Sequence, residues 1–339
     1  MIAGPRQLNR ALLARQLLLE RAALSLPEAL ERVAGIQAQY APSMYIGLWT
    51  RLDGFRRNAL TAAIEDRTVV VGTLMRTTIH LVSPADYWPF ALATRAVRRA
   101  QWLRNRPEPD DAAMTAAARC LEAALDGGAM KRTDVEALIG KEEARSIHNW
   151  IDLVRAPPSG TWERRRADLY ASARDWLGPP SGDEDEQAAM EHLVRRYLAA
   201  FGPATRKDVQ SFTGLSLTTL EPVLERIGPQ RLDANLLDLH GAPRPDPDTP
   251  APPRYLPTFD ATLLVHARRT QILPEAYRPR IFNTRTPHSR PTFLVDGAVA
   301  GTWAYESGRI VREEFERLDA ADRRALDEEG ERLATLMAD

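Results

Sequence analysis

Apolar residues recur at helical spacing in two similar segments near the middle of the chain. "AARCLEAALDGG" and "MEHLVRRYLAAFG" each predict an amphipathic helix that ends in glycine, a common residue at helix C-termini. Each continues into a related sequence, "MKRTDVEALIG" and "ATRKDVQSFTG". An arginine, an Asp-Val pair and a final glycine keep the same offsets in both. We interpret the two segments as copies of one supersecondary unit.

The second copy continues in a way that is typical of a winged helix. "LTTLEPVLERI" has helical apolar spacing with Thr219 as its expected N-cap, and "QRLDANLLDLHG" predicts two short strands. We also expect caps at Thr133 and Thr205, each with an acidic residue three positions later. Helix, short helix, helix and hairpin is the order of a helix-turn-helix with a β-wing.

The N-terminal region follows the same pattern. "LNRALLARQLLLER" predicts an amphipathic helix, and "SLPEALERVAGIQAQY" predicts a helix capped by Ser25. Because Pro42 disfavours helix at the residue before it, we expect this second helix to end near Gln39 or Tyr40. "VVVGTLMR" and "TIHLVS" are candidate wing strands. The chain therefore predicts three winged-helix modules.

The C-terminal part has a different pattern. The proline-rich "GAPRPDPDTPAPPRYLP" predicts a linker, followed by the β-rich segments "ATLLVHAR", "PTFLVDG", "AVAGTWAYE" and "GRIVREEF". Asp296 and Gly297 between apolar runs predict a tight hairpin, and a last helix is expected from about Asp319 to Leu336. The predicted fold class is α+β, mainly α, with three tandem modules (residues 1–106, 107–182 and 183–242) and a β-rich segment (residues 243–339).

Composition excludes several classes of protein. The formal net charge is −1, and the lone Cys120 excludes a disulfide framework and a cysteine-based zinc site. The histidines are scattered without ligand spacing, so we expect no metal and no cofactor. No apolar run approaches the ~20 residues needed to cross a bilayer, and the charged N-terminus is unlike a signal sequence. We expect a cytoplasmic, nucleoid-associated protein.

Local charge is more informative than net charge. Arg98 and Arg99 lie in an acid-free stretch, "TRAVRRAQWLRNRP", and a second basic cluster is "WERRRADLY". The polar tip "NTRTPHSRP", which holds Arg285, His288 and Arg290, suits insertion into a DNA minor groove. Each cluster could instead be an ordinary solvated face. The last helix of the third module is acidic and apolar, which counts against a sequence-specific regulator.

The stretch "GIQAQY" sets Gln37 and Gln39 one residue apart. In a regular helix the two side chains would point to nearly opposite sides, but where the chain unwinds at a helix end both amides can face one cavity. Taken alone, the pair has an ordinary interpretation, with Gln37 on the helix surface and Gln39 capping the last carbonyls.

Longer segments change this interpretation. "LNRALLARQLLLER", "GIQAQYAPSMYIGLWTRL", "VVGTLMRTTIHLVSPADYWPF", "LPTFDATLLVHARR", "ILPEAYRPRIF" and "PTFLVDGAVAGTW", in this order, resemble the AlkZ-like winged-helix DNA glycosylases. The resemblance implies three tandem winged helices and a β-rich part, arranged in a C-shape around DNA. It also implies a catalytic signature of glutamine, an apolar residue, and glutamine or aspartate, which maps onto Gln37, Ala38 and Gln39. Ala38 is smaller than the usual middle residue.

The all-glutamine signature resembles the branch that removes bulky or crosslinking alkylated purines, often as self-resistance to a DNA-alkylating natural product. The expected activity is that of a monomeric, monofunctional DNA glycosylase, because no lysine near the motif could form a Schiff base. Two alternatives stay open at this point. A non-catalytic winged-helix DNA-binding regulator should dimerise and prefer one sequence, and a protein-interaction scaffold should bind DNA weakly and almost independently of salt.

Overall fold

The computed structural model describes residues 4–106, 108–180, 184–264, 269–282 and 289–338. Its helices are α1 (Pro5–Arg15), α2 (Leu26–Val33), α3 (Ala41–Trp49), α4 (Arg57–Glu65), α5 (Pro84–Asn105), α6 (Asp111–Leu125), α7 (Arg132–Ile139), α8 (Lys141–Ser146), α9 (Ala173–Leu177), α10 (Glu186–Phe201), α11 (Arg206–Thr213), α12 (Leu217–Ile227), α13 (Ala261–Leu264), α14 (Arg278–Ile281) and α15 (Ala320–Ala338). Its strands are β1 (Ile36–Gln37), β2 (Val70–Thr73), β3 (Ile79–Val82), β4 (Met130–Lys131), β5 (Leu153–Arg155), β6 (Leu169–Ser172), β7 (Gln230–Arg231), β8 (Leu237–Asp238), β9 (Arg254–Leu256), β10 (Thr292–Val295), β11 (Ala298–Glu306) and β12 (Arg309–Glu314). This is a mixed α and β protein with antiparallel sheets, about half of it helical, as the sequence predicts at that level.

A six-stranded antiparallel sheet joins the first two segments of the chain. Its strand order is β1-β3-β2-β5-β6-β4, so strands from residues 1–106 pair with strands from residues 107–182 where Gly72 lies opposite Val154. A Cβ at Gly72 would lie 2.7 Å from the Tyr87 ring on α5, so glycine lets that helix lie close against the sheet. The two segments therefore share one sheet.

Helix α10 lies at the centre of the larger core. It packs against α2, α5, α11 and α12, and its Tyr197 and Phe201 stack with ring centroids 5.3 Å apart. The capping box of Thr205 and Asp208 at the start of α11 is confirmed. Two other cap predictions are wrong. Ser216, not Thr219, caps α12, and α7 begins at Arg132, one residue before Thr133.

Helix α1 contacts both the third segment of the chain and the C-terminal segment. Its buried Arg15 forms an ion pair of 2.7 Å with buried Asp238 on β8, and its Asn9 donates to the Gly297 carbonyl at 2.7 Å. Asp296 and Gly297, with φ of 46° and 80°, form the predicted hairpin between β10 and β11.

The C-terminal sheet has the strand order β12-β11-β10-β9, and α15 packs against β9 and β12. The last helix is confirmed within two residues at each end. The strand expected from "ATLLVHAR" is wrong for its first half, which forms the short helix α13, while residues 265–268 lie outside the described part. Across the described residues, no helix combines the length and apolar character that crossing a membrane requires.

Candidate active site

Gln37 lies on a strand, not at the end of a helix as the sequence suggested. Helix α2 ends at Val33, and the next two residues, Ala34 and Gly35, have φ of 59° and 78° and reverse the chain into β1. A Cβ at Gly35 would lie 2.9 Å from Val82 and 3.2 Å from the Leu81 carbonyl oxygen, so only glycine fits without a shift. Pro42, taken as the helix stop, instead lies in the first turn of α3.

The side chain of Gln37 is held from one side by an arginine. Gln37 is 8% exposed and pairs with His80 on β3. Its Oε1 atom lies 3.5 Å from the Nη2 atom of Arg76, whose other terminal nitrogen donates to the Phe212 carbonyl at the end of α11. Because a guanidinium has no acceptor, the amide of Gln37 must turn its oxygen towards Arg76.

Arg76 itself lies in a strained turn. It has φ 53° and ψ 22°, and Thr77 after it has φ 60°, so two successive non-glycine residues occupy the left-handed region. Such a residue costs on the order of 1–3 kcal/mol and persists only where the surroundings enforce it. The enforcing contacts include the Phe212 carbonyl and the Phe212 ring, whose centroid lies 5.3 Å from the Arg76 guanidinium. The turn between β2 and β3 thus presents Arg76 to Gln37.

Gln39 is exposed and lies two residues after the end of the same short strand. The Ala38 amide donates to the Ile79 carbonyl at 2.7 Å, and the Ile79 amide in turn donates to Oε1 of Gln39 at 2.6 Å. The side-chain oxygen thus takes the place that a strand carbonyl would have. Both amide oxygens of the pair are therefore oriented by donors on the β2–β3 turn or on β3, and each keeps a second lone pair.

His80, opposite Gln37, is not a proton donor at neutral pH. Burial, and the positive charge of Arg76 next, lower the pKa of His80 to about 3, although a contact of 3.0 Å between its Nδ1 atom and the Thr78 carbonyl oxygen acts in the other direction. Burial likewise lowers the pKa of His148 to about 3. The ring beside Gln37 is therefore neutral, and general-acid chemistry from it is excluded at pH 7.

The lowered pKa values of these two histidines should make the stability of the protein depend on pH. In the unfolded chain a histidine has a pKa of ~6.5. Between that pH and about pH 3, the unfolded state therefore binds protons that the folded state does not bind. The free energy of unfolding is therefore highest above pH ~6.5, where the histidines are neutral in both states, and it decreases as the pH falls. We expect urea unfolding at pH 5.5 to give a free energy lower by about 1 kcal/mol per histidine than at pH 7.5. The free energy of unfolding of the His80→Asn/His148→Asn variant should decrease less over this interval. Equal wild-type free energies at the two pH values would show that the two histidines do not have lowered pKa values in the folded state.

A narrow polar cleft lies beside Gln37. Gln16, Ser43, Arg51 and Asp260 are among its lining residues, and the volume open to water is about 10 Å³, which is close to the space one water molecule needs. The hydroxyl of Ser43 is buried and has no hydrogen-bond partner within the described parts of the chain.

Arg51 and Asp260 form a buried, two-pronged ion pair beside this cleft. Their nitrogen–oxygen distances are 2.9 and 3.0 Å, and both side chains are 3% exposed. Burial alone would raise the pKa of Asp260, but Arg51 and two hydrogen bonds from Thr262 hold it below its usual range. The pair fixes the segment after β9 against the end of α3, beside Gln37.

Of the arginines proposed as DNA contacts, Arg98 is placed inside the protein. Tyr87, Ala91, Thr94 and Arg98 form a buried stripe along α5, and Arg98 is 4% exposed. Its guanidinium donates to the Thr73 carbonyl at 2.8 Å. In this position Arg98 stabilises the end of β2, which is not the exposed phosphate contact that the sequence suggested. The helical spacing of the stripe was the signal for burial.

Of the other proposed contacts, Arg99 is half-buried, Arg290 is exposed, and two lie outside the described residues. Arg99 pairs with Asp111 at 2.6 Å, and Arg290 pairs with Glu313 at 2.8 Å. Arg285 and His288 lie in residues 283–288, outside the described part. Any role of these four residues in binding DNA stays a prediction. Among the described residues, no three histidine, cysteine or acidic side chains come together as a metal site would need.

Sequence reasoning missed Arg76, Arg51 and Asp260. Each lies in a segment that carried the family resemblance, Arg76 in "VVGTLMRTTIH", Arg51 in "MYIGLWTRL" and Asp260 in "LPTFDATLL". A charged residue inside an otherwise apolar stretch was the available signal, because burial of a charge requires a partner.

Comparisons with known proteins identify the family and the fold. A family model described as DNA glycosylase AlkZ-like matches residues 30–336 of the chain. Among solved structures, the DNA glycosylase AlkZ of Streptomyces sahachiroi superposes with a TM-score of 0.82 at 20% sequence identity, covering 100% of this chain and 98% of that chain. No curated protein sequence matches. The superposition shows a shared fold.

Proposed function

Because the chain belongs to the AlkZ-like family of DNA glycosylases, we propose that it is a monofunctional enzyme for N7- or N3-alkylated purines, including bulky adducts and interstrand crosslinks. Such an enzyme would act in repair or in self-resistance to a DNA-alkylating compound. The observation that carries the proposal is the pair of amide oxygens of Gln37 and Gln39, both oriented by donors from the β2–β3 region.

The chemistry suits neutral amides. An N7-alkylated guanine carries a positive charge, so the bond from C1′ to N9 can break with its electron pair neutralising the purine ring. A water molecule then adds to C1′, and its proton passes to solvent. What the protein must supply is a positioned water and dipoles that tolerate an oxocarbenium-like transition state. Gln37 and Gln39 supply acceptor oxygens for that water, and Arg76 and the Ile79 amide keep these oxygens in place.

We further propose that the fold comprises three winged-helix modules with Gln37 and Gln39 in the first. The hairpins β2–β3, β5–β6 and β7–β8 each follow a group of helices, which supports this reading. The DNA duplex would lie against the exposed side of Gln39, and the residues around Arg290 would contact the duplex from its opposite side. The protein would act as a monomer, because a site of this kind needs no second copy.

The direct test is base release from a duplex that contains one 7-methylguanine. We expect purified protein to release free 7-methylguanine and to leave an intact strand with an abasic site, because the motif has no lysine for a lyase step. The same duplex with guanine serves as the control. Absence of free base from the damaged duplex would refute the proposed function.

A further inference from the structure

The exposed surface beside Gln39 continues onto a loop of the neighbouring segment. Tyr40 directly follows Gln39 and is 39% exposed, which is unusual for an aromatic residue in this chain. Its hydroxyl accepts a hydrogen bond of 3.0 Å from Nη1 of Arg165, which lies in the loop between β5 and β6. Residues from two segments of the chain thus come into contact next to Gln39.

Arginines and aromatic rings alternate across this surface. The guanidinium carbon of Arg165 lies 5.9 Å from the ring centroids of both Tyr40 and Trp162. On Trp162, the guanidinium of Arg57 lies 4.5 Å from the ring centroid. Cation–π contacts of this kind fix long side chains without neutralising their charge. We call Tyr40, Arg57, Arg164 and Arg165, together with Trp162, which is itself only 7% exposed, the arginine–aromatic surface.

The loop that carries Arg164 and Arg165 has a defined backbone. The hydroxyl of Ser159 donates to the Arg166 carbonyl at 2.6 Å and accepts from the Asp168 amide at 2.7 Å. The Gly160 amide also donates to the Arg164 carbonyl at 2.7 Å. These bonds close the loop on itself, so its exposed arginines start from fixed backbone positions.

The charges of this surface are not balanced by ion pairs. Arg57, Arg164 and Arg165 make none with a carboxylate anywhere in the described ranges, whereas Arg166 pairs with Asp168 at 3.4 Å. Two acidic residues, Glu65 and Glu163, lie with Arg56 and Arg57 around an adjoining groove of about 600 Å³. Beyond Arg164, Lys131 lines a second depression with the loop arginines. The net charge of the side chains along this surface is therefore positive.

This sets the loop apart from the arginines that the sequence favoured. Arg99 and Arg290 would each have to give up a carboxylate to bind a phosphate, and Arg98 is buried. Arg164 and Arg165 have no carboxylate to give up. A phosphate contact at this place therefore gains more than one at Arg99 or Arg290.

We propose that Arg164 and Arg165 bind the sugar-phosphate backbone of DNA immediately beside the damaged nucleotide, in a position set by Tyr40 and Trp162. This rests on the proposed function, because it places the duplex against Gln39. The contacts are to phosphates, so they bind undamaged and damaged duplex alike and carry no sequence preference.

The test measures the salt dependence of binding to an undamaged duplex by fluorescence anisotropy. Each lost phosphate contact lowers the slope of log affinity against log salt by ~0.9, so the variant Arg164→Gln/Arg165→Gln should have a slope smaller by about two than wild type. The variant Arg164→Lys/Arg165→Lys should keep most of the slope, since it keeps the charge. The unfolding temperature of both should stay close to that of wild type, because the side chains are exposed.

A matched control removes the same charge elsewhere. Arg317 and Arg324 are exposed, and neither has an ion partner in the part of the chain that the structure covers. Arg317→Gln/Arg324→Gln should leave the slope unchanged. An unchanged slope for the loop variant, or an equal decrease for loop and control, would overturn the proposal. This binding test does not depend on base release. A failure of the proposed activity would therefore appear only in the 7-methylguanine assay, as a protein that binds DNA but releases no free base.

Discussion

Replacing Gln37 with alanine is expected to slow base release from a 7-methylguanine duplex by roughly thirty- to a thousandfold, as is replacing Gln39. Loss of one positioned polar contact in a transition state commonly costs ~2 to 4 kcal/mol. Single-turnover measurement with enzyme in excess separates this effect from binding, so the affinity for undamaged duplex should stay near the wild-type value. Gln39→Ala also removes the bond to the Ile79 amide, which costs about 1 kcal/mol of stability.

Two further variants make this prediction specific. Gln101 is an exposed glutamine on α5, and Gln101→Ala should keep the wild-type rate. Gln39→Glu keeps an acceptor oxygen for Ile79 and should retain more activity than Gln39→Ala. If Gln37→Ala and Gln39→Ala both released base at the wild-type rate, the catalytic assignment would be wrong.

The second large effect concerns the buried ion pair behind the site. In Arg51→Met the carboxylate of Asp260 stays buried without its partner, and loss of one member of such a pair typically costs about 3–5 kcal/mol. Urea unfolding followed by circular dichroism should therefore show a large decrease in the free energy of unfolding. The physical reason is that the Thr262 bonds alone cannot replace the solvation of a buried charge.

The control for this experiment is a surface pair. Arg99 bonds to Asp111 at a distance similar to that of the buried pair, but the two side chains are 39% and 50% exposed. Arg99→Met should therefore cost less than about 1 kcal/mol. Comparable losses in the two variants would show that burial does not set the strength of the Arg51–Asp260 pair.

Several features could be predicted from the sequence because they depend on neighbouring residues. The cap at Ser25, the capping box at Thr205 and the turn at Asp296 and Gly297 are confirmed, since each depends on contacts within three residues. The strand that carries Gln37 could not be predicted in the same way. Its two residues pair only with β3, more than forty positions away, and a strand so short has no alternation of its own.

The candidate site depends still more on distant contacts. Arg76 reaches Gln37 only because Phe212 of α11 anchors it, and Arg51 meets a carboxylate 209 positions away. Clusters of arginine were visible in the sequence, but their local charge did not reveal which of them were already paired. Arg98, Arg99 and Arg165 look alike along the chain, yet one is buried, one is paired and one lies free of carboxylates beside Tyr40.

We expect the site to hydrolyse only purines that already carry a positive charge. Two duplexes that differ at one nucleotide test it, one with 7-methylguanine and one with the neutral base hypoxanthine, under single-turnover conditions at pH 7. With His80 neutral and two amides as the only proposed catalytic groups, we predict release of 7-methylguanine and no release of hypoxanthine above the rate without enzyme. Release of both bases at similar rates would contradict the proposed chemistry, because it would require a general acid that protonates the departing base.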